Sequence, residues 1–355
     1  MRALVAMSGG VDSSVAAALM LDQGHEVIGA TLKQWEGPGG SLPMHGCCTV
    51  ADAEDARRAA GTLGIRHYVL DYVEEFNEQV VEPFAAAYLA GRTPNPCIEC
   101  NRRVRFRALL DRASELGCDV LATGHHARIR EDDEGFHLLT AADSAKDQSY
   151  VLHMLGQDDL AGIRFPVGEM TKDEVRADAM RRGMRTASKP DSQDLCFIAH
   201  DHTSFLRERF PEIAEPGPIV DTAGVEIGRH SGAVGFTVGQ RRGLNLAVGE
   251  PRYVLDVRPA MATVVVGSRE DLLVDGVGVS GMSWVAGAPP ADAGVEIKIR
   301  YRSDPVPATL SAVADDTWEI WFATPQERAA AGQAGVVYRG DEVLGGGTIE
   351  GLLRR

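Results

Sequence analysis

Residues 8 to 14 read Ser-Gly-Gly-Val-Asp-Ser-Ser, set between the apolar run "RALVAM" and the alanine-rich "SVAAALMLDQG". Adjacent glycines let a backbone approach a ligand that a Cβ would hold off. The hydroxyls of Ser8, Ser13 and Ser14 add donors, and a helix starting here offers unpaired N–H groups and a positive dipole end. That combination is the chemistry of an anion cradle. No Gly-Lys-Ser/Thr follows at the required spacing, so the cradle is not of the Walker type. A plain strand–turn–helix would explain the glycines but not the whole string.

Thiols form the second candidate group. Cys97 and Cys100 make a C-x-x-C inside "GRTPNPCIECNRRVRF", and Cys196 lies in "KPDSQDLCFI". A single C-x-x-C is common to zinc, redox and iron–sulfur sites. A structural zinc needs four ligands, and no second C-x-x-C supplies them. Cys118 opens an apolar run and reads as a small buried hydrophobe. Cys47 and Cys48 adjoin a helix start after a glycine-rich stretch and are further candidates. The residue types alone leave the use of these thiols open. The arginines of "NRRVRF" are candidates for a cationic field that favours thiolate at Cys100.

These groups must be positioned by a chain of 355 residues, enough for two or three domains. Its 44% hydrophobic and 25% charged residues are those of a globular protein. No apolar run reaches the roughly 18 to 20 residues of a membrane span, and the N-terminus lacks a signal-peptide pattern. The expectation is a cytoplasmic protein with reduced thiols. A net charge of −15 argues against indiscriminate polyanion binding and leaves room for a local basic face. Arginines concentrate at "NRRVRFRALLDR", "ADAMRRGMR", "GQRRG" and "RYRS".

Strand-like runs "RALVAM", "HEVIGATL", "IRHYVLDY" and "CDVLATG" alternate with helical runs such as "ADAEDARRAAGTLG" and "EEFNEQVVEPFAAAYLAG". Thr49 and Asp52 make a weak capping box for the first of these helices. Such alternation predicts an α/β fold with a parallel sheet covered on both faces, and ligands at the strands' carboxyl ends. "SGGVDSS", the end of "GATLKQW" and "TGHHAR" then share one rim, with Gly124 close to a ligand and His125 a polar site residue. Beyond about residue 205 come short β-rich pieces, among them "AVGFTVGQ", "RYVLDV", "ATVVVG", "VEIKIRYR", "TWEIWF" and "EVLGGGTI", which predict antiparallel sheet or barrel modules. Breaks at "FPEIAEPGPIVD" and near "LLVDGVGVSG" divide the chain into units 1–204, 205–274 and 275–355.

The "SGGVDSS" string resembles the pyrophosphate loop of the ATP-pyrophosphatase superfamily. Taken in order with "GRTPNPC", "TGHHAR", "KDQSY", "DSQDLCFI", "TVGQRRGL" and "RYRS", it makes nearly the whole sequence resemble the tRNA-specific 2-thiouridylase family. That resemblance implies a parallel-sheet ATP-pyrophosphatase domain, a small central domain and a C-terminal antiparallel β-barrel that contacts tRNA. It implies thiolation of uridine 34 in the tRNAs for Lys, Glu and Gln, with ATP and Mg2+, and sulfur from a donor protein or a cysteine desulfurase system. Asp12 would help to hold the magnesium–pyrophosphate unit. Ala6, Met7, Ser8, Gly9, Gly10, Val11, Asp12, Ser13, Leu32 and Gly124 form the expected nucleotide set. His125, Lys146, Asp147, Gln148, Arg300, Tyr301 and Gln333 form the expected tRNA set. In the family's persulfide scheme, Cys196 carries the transferable sulfur and Cys100 is its partner.

Position 97 departs from that pattern, since many members carry an acid there. A subset of related thiolases is similar in binding a [4Fe–4S] cluster through three cysteines, which makes Cys97, Cys100 and Cys196 candidate ligands, with an open iron to hold sulfide. Both schemes need Cys100 and Cys196. Two other classes share part of the pattern. One is a small-molecule ligase similar to GMP or NAD synthetase. The other is a tRNA-binding protein without chemistry.

Overall fold

The computed structural model describes residues 1–36, 49–190, 195–198, 202–210, 215–246, 249–291 and 294–355. Its first unit is a five-stranded parallel sheet in the order β3-β2-β1-β4-β7, from β1 (Arg2–Ala6), β2 (Glu26–Lys33), β3 (Arg66–Asp71), β4 (Val120–Thr123) and β7 (Ile163–Arg164). β1 is central, pairing Arg2 to Ala6 with Glu26 to Ala30 on one side and Ala3 to Ala6 with Val120 to Thr123 on the other. Strand alternation divides its side chains between two layers. Ala3 and Val5 pack with helix α1 (Val11–Asp22), helix α2 (Val50–Leu63) and helix Lys172–Arg181, while Leu4 packs with helix Phe106–Glu115. Full burial of a leucine such as Leu4 or Leu121 stabilises the fold by about 2 kcal/mol.

Short side chains let α1 lie close on the sheet, since Ala16, Ala17 and Ala18 are wholly buried. The capping box at α2 is complete: the Thr49 hydroxyl accepts from the Asp52 N–H, and the Asp52 carboxylate accepts from the Thr49 N–H. The helical stretch after β3 contains a π turn at Asn77–Val81, and a second π turn at Cys100–Arg105 begins on a candidate thiol. No helix among the described residues is long and apolar enough to cross a membrane.

The central unit is a four-stranded sheet of β8 (Gly217–Val220), β9 (Glu226–His230), β10 (Tyr253–Arg258) and β11 (Thr263–Gly267). "AVGFTVGQ" is not a strand as its apolar alternation suggests. Ala233–Gly235 is a short 3-10 turn packed into this unit's core, where burial rather than ladder pairing sets the pattern. The "FPEIAEPGPIVD" string falls partly outside the described residues, and its Gly217–Val220 portion is β8.

A six-stranded antiparallel barrel follows: β12 (Leu273–Trp284), β13 (Gly294–Lys298), β14 (Val306–Ala314), β15 (Thr317–Glu327), β16 (Ala334–Arg339) and β17 (Glu342–Leu353), closed by pairing of β12 with β17. "LLVDGVGVSG" is thus largely the first barrel strand. The barrel's sheet continues into the first unit. A hairpin of β5 (Ala127–Asp132) and β6 (Gly135–Thr140) adds to β17 through the pairs Leu139 with Glu342 and Leu138 with Val343. Barrel residues Ala334, Val336, Tyr338 and Val343 share the core that contains Leu4 and Leu121.

Candidate active site

The cradle forms at the carboxyl end of β1. Thr31 donates to the Met7 carbonyl at 2.6 Å, and the Met7 N–H donates to Ala30, which ties the loop's start to β2. Ser8 N–H donates to Ser13 Oγ at 3.1 Å, and the Ser13 and Ser14 hydroxyls donate to the Gly10 carbonyl at 3.2 and 2.8 Å. Gly9 has φ +72°, and a Cβ there would meet the Asp52 carbonyl oxygen at 2.1 Å. Gly124, after β4, presses on the start of α1 so closely that a Cβ would lie 2.5 Å from the Ser13 nitrogen. Of the expected nucleotide set, Ala6, Met7, Ser8, Gly9, Gly10, Val11, Asp12, Ser13 and Gly124 therefore gather around one loop. The Met7, Val11 and Leu32 side chains belong to the core.

Two of the chain's five lysines converge here. Lys172, only 8% exposed, donates to both Asp12 carboxylate oxygens at 2.8 and 2.7 Å. His126, 2% exposed, places Nε2 3.1 Å from Asp12 Oδ1. Burial alone would push the Asp12 carboxyl up, but the bonds from His126 and Lys172 hold it below its ordinary value. Lys189 donates to the Gly9 carbonyl at 3.0 Å, to Asp52 at 2.6 Å and to Asp55 at 2.8 Å, fastening the loop to the start of α2. Burial lowers the Lys189 pKa, and the two carboxylates more than reverse that. Reading the sequence singled out none of Lys172, Lys189 and His126. "TGHHAR" contained His126, and "TKDE" with its Thr171 cap marks Lys172 as the first residue of a helix.

His125 does not sit as an exposed rim residue. It is 8% exposed, with its ring 5.6 Å from Phe106 and 5.9 Å from Phe165, and its Nδ1 lies 2.7 Å from the Thr123 hydroxyl. Burial pushes its pKa down to about 3, so it is neutral at physiological pH.

Cys100 is reached from the carboxyl end of β2, the strand beside β1. Asn95 caps the turn Pro96–Glu99 by accepting from the Cys97 N–H at 3.1 Å. Cys97 is exposed and Cys100 is buried. Gln34, just beyond β2, donates from Nε2 to Cys100 Sγ at 3.2 Å, a bond that favours sulfur as an anion. Phe197 is the hub of an aromatic cluster, with centroids 6.0 Å from Trp35, 5.8 Å from Phe76, 5.2 Å from Phe84 and 5.3 Å from Phe205. Cys100 is buried in that cluster and half-buried Cys196 packs against it. Packing around Phe197 thus draws two thiols nearly a hundred residues apart into one cluster. Arg102 and Arg103 both pair with Glu99, at 3.4 and 2.8 Å, which compensates part of the field they would offer a thiolate. Cys118 is half-buried, and burial raises its pKa. Cys47 and Cys48 lie outside the described residues. Among the described residues, no group of three or more Cys, His, Asp or Glu side chains is placed to hold a metal ion.

The expected tRNA set is spread over a loop and the barrel. Asp147 accepts from Ala141 N–H, Ser149 N–H and the Ser149 hydroxyl, shaping the 143–149 loop, and Gln148 exchanges hydrogen bonds with the His126 backbone. Lys146 is half-buried on the same loop. Tyr301 is exposed, with its hydroxyl 3.3 Å from the Asp147 carbonyl. Arg300 donates to the Arg328 carbonyl, and Gln333 donates to the Thr93 carbonyl.

This fold and site define a pyrophosphate-loop enzyme with two β-units appended. Three family models cover the chain: a tRNA methyl transferase HUP domain over residues 1–200, a tRNA methyl transferase PRC-barrel domain over 203–268 and an aminomethyltransferase β-barrel domain over 274–349. The chain is 50% identical to the tRNA-specific 2-thiouridylase MnmA of Chloroflexus aggregans over 349 residues, covering 98% of this chain and 97% of that one. Proteins of the same description from Acidothermus cellulolyticus and Geobacter metallireducens are 49% and 46% identical, over 98% and 99% of this chain and 97% of each of theirs. The chain belongs to the tRNA-specific 2-thiouridylase family. Among solved structures, a 4-thiouridine synthetase–RNA complex with bound ATP aligns with 59% of this chain and 50% of that chain at 18% identity and TM-score 0.38, too distant a match to bear on the site.

Proposed function

We propose that this protein replaces the C2 oxygen of the wobble uridine, position 34, of the Lys, Glu and Gln tRNAs with sulfur, in the cytoplasm, using ATP. The observation that carries the reading is that the cradle holding Asp12 and Lys172 follows β1, while Gln34, just beyond the neighbouring parallel strand β2, bonds Cys100 of the cluster that also contains Cys196. The uracil C2 oxygen is a poor leaving group. Its attack on the α-phosphorus of ATP releases pyrophosphate, whose charge the α1 N–H groups and Lys172 stabilise. The base then carries AMP as its leaving group.

Asp12 is a suitable ligand for Mg2+, which binds through one or two carboxylates with substrate phosphates and would neutralise phosphate charge. Sulfur arrives on Cys196 as a persulfide from a donor protein or a cysteine desulfurase system. The terminal sulfur attacks C2 and AMP departs with the original oxygen. Cys100 thiolate then attacks Cys196 Sγ, leaving sulfur on the base and a Cys100–Cys196 disulfide for a cellular dithiol to reduce. The Gln34 N–H suits both the thiolate and the displaced charge. The alternative route keeps Cys97, Cys100 and Cys196 as ligands of a [4Fe–4S] cluster whose open iron would hold the sulfide that attacks C2.

Exposed Tyr301 and partly exposed Lys146 are proposed as RNA contacts. Asp147, Gln148, Arg300 and Gln333, each partly exposed, complete the proposed tRNA set with His125, which is buried. A tRNA thiolation assay with ATP and a persulfide donor tests the reading. Cys100→Ser and Cys196→Ser should each abolish 2-thiouridine formation while tRNA binding persists. Full activity in either variant would overturn it, and ATP–pyrophosphate exchange with a small acceptor and no tRNA would favour a ligase.

A further inference from the structure

The segment leading into the thiol-bearing turn is held residue by residue from the two β-units. Gly91 packs on the central unit, where a Cβ would meet the Val257 carbonyl oxygen at 2.5 Å. Arg92 makes a two-pronged ion pair with Glu350 of β17, Nη1 to Oε2 at 2.6 Å and Nη2 to Oε1 at 2.9 Å. Glu350 is itself oriented by the Ser280 hydroxyl of β12 at 2.9 Å. Thr93 N–H donates to the Ala331 carbonyl at 2.8 Å, and its own carbonyl accepts from the Gln333 side chain. Gly332 lies flat on the Thr93 backbone, with a Cβ position 3.2 Å away. Two residues later Asn95 caps the turn that carries Cys97 and leads to Cys100.

We propose that Arg92, Glu350 and Gln333 form a positioning clasp, through which the barrel sets the placement of the Cys97–Cys100 turn. The inference rests on the proposed role of the thiols in sulfur transfer. A bidentate guanidinium–carboxylate pair fixes direction as well as distance. Anchors on Arg92 and Thr93 to the barrel, beside that of Gly91 on the central unit, leave the following turn few ways to shift without dragging the barrel. RNA seated on the barrel then bears on the thiols through the protein, not only by presenting a base. These are positioning residues, since none of them need touch the reacting atoms.

The test uses the full chain. Arg92→Glu, Glu350→Arg and the double exchange Arg92→Glu/Glu350→Arg are compared for rates of iodoacetamide modification at Cys97 and Cys100, resolved by mass spectrometry without tRNA, and for kcat and KM toward tRNA. Each single reversal should change the alkylation rate of at least one of the two thiols by roughly threefold or more and lower kcat with KM little altered, and the double exchange should restore both. Gln333→Ala, which removes one bond and no charge, should show the alkylation change even if a reversed charge prevents folding. Unchanged alkylation in folded single variants, or a rise in KM alone, would overturn the clasp. Alkylation is read without chemistry on tRNA. Loss of the sulfur-transfer reading, seen as an active Cys100→Ser enzyme, is therefore separable from loss of the clasp.

Discussion

Lys172 and Asp12 meet through both carboxylate oxygens, at 2.7 and 2.8 Å, and neither residue is far enough from the phosphate cradle to be a bystander. The pair holds a carboxylate and an ammonium where a nucleotide's metal and phosphates would need one of each. Incoming magnesium competes for the carboxylate, and phosphate competes for the ammonium. Lys172→Gln should lower kcat by about a hundredfold, the scale of losing one charged donor to a developing anion. It should also weaken ATP and pyrophosphate far more than AMP in titration calorimetry. Equal losses for ATP and AMP would mean that Lys172 only supports the fold.

Gly124 allows the loop after β4 to touch the start of α1. Gly124→Ala inserts a methyl group 2.5 Å from the Ser13 nitrogen, where backbone rather than a yielding side chain must move. A cost of about 1–3 kcal/mol is expected. Thermal unfolding should show a lower Tm, and ATP affinity should fall because the cradle's N–H groups shift. A variant with wild-type Tm and ATP affinity would show that the loop relaxes freely.

Cys97 is the exposed member of the C-x-x-C. Cys97→Ser should keep most of the thiolation supported by a persulfide donor, and iron-free protein should be fully active. Iron and acid-labile sulfide, measured on anaerobically purified protein beside the same assay, decide the matter. Stoichiometric cluster with activity lost on its removal would assign Cys97, Cys100 and Cys196 as ligands instead.

Acid should destabilise the protein early. Burial pushes both His125 and His153 down to about 3. Unfolding exposes them to an ordinary value near 6.5, so the unfolded chain takes up protons first. Their contribution is complete above about pH 6.5 and is lost as pH falls toward 3. His153→Leu should flatten that limb of a plot of urea midpoint against pH. His137 works in the opposite sense: bonds to Glu342 and Asp132 raise its pKa despite burial, so its contribution is full below about pH 6.5 and is lost as pH rises through the folded value. An unchanged acid limb in His153→Leu would exclude that residue as its source.

Much of the first unit is readable locally. The apolar runs at β1, β2 and β4 and the Thr49–Asp52 cap are set by neighbours within a few residues. What escapes a linear reading depends on partners far along the chain. Lys172 and Lys189 look like surface lysines until Asp12, Asp52 and Asp55 are folded against them. His125 follows a strand end, as a rim residue should, yet Phe106 and Phe165 cover it. The β5–β6 hairpin, "RIREDDEGFHLLT", goes unnoticed in the sequence because its charges hide the strand alternation, and only Leu138 and Leu139 carry it onto the barrel. The arginines after Cys100 look free to polarise it until Glu99 is seen to collect two of them.

That hairpin makes the molecule a closed circuit. The N-terminal unit and the barrel are joined along the chain through the central unit, and again across the β6–β17 ladder and the Tyr150 hydroxyl bond to Ala334. A protein joined twice does not need both joins to stay whole. A single backbone cut within the central unit should leave two fragments that travel together as one particle. The cut chain would then be held by the β6–β17 ladder and the shared core.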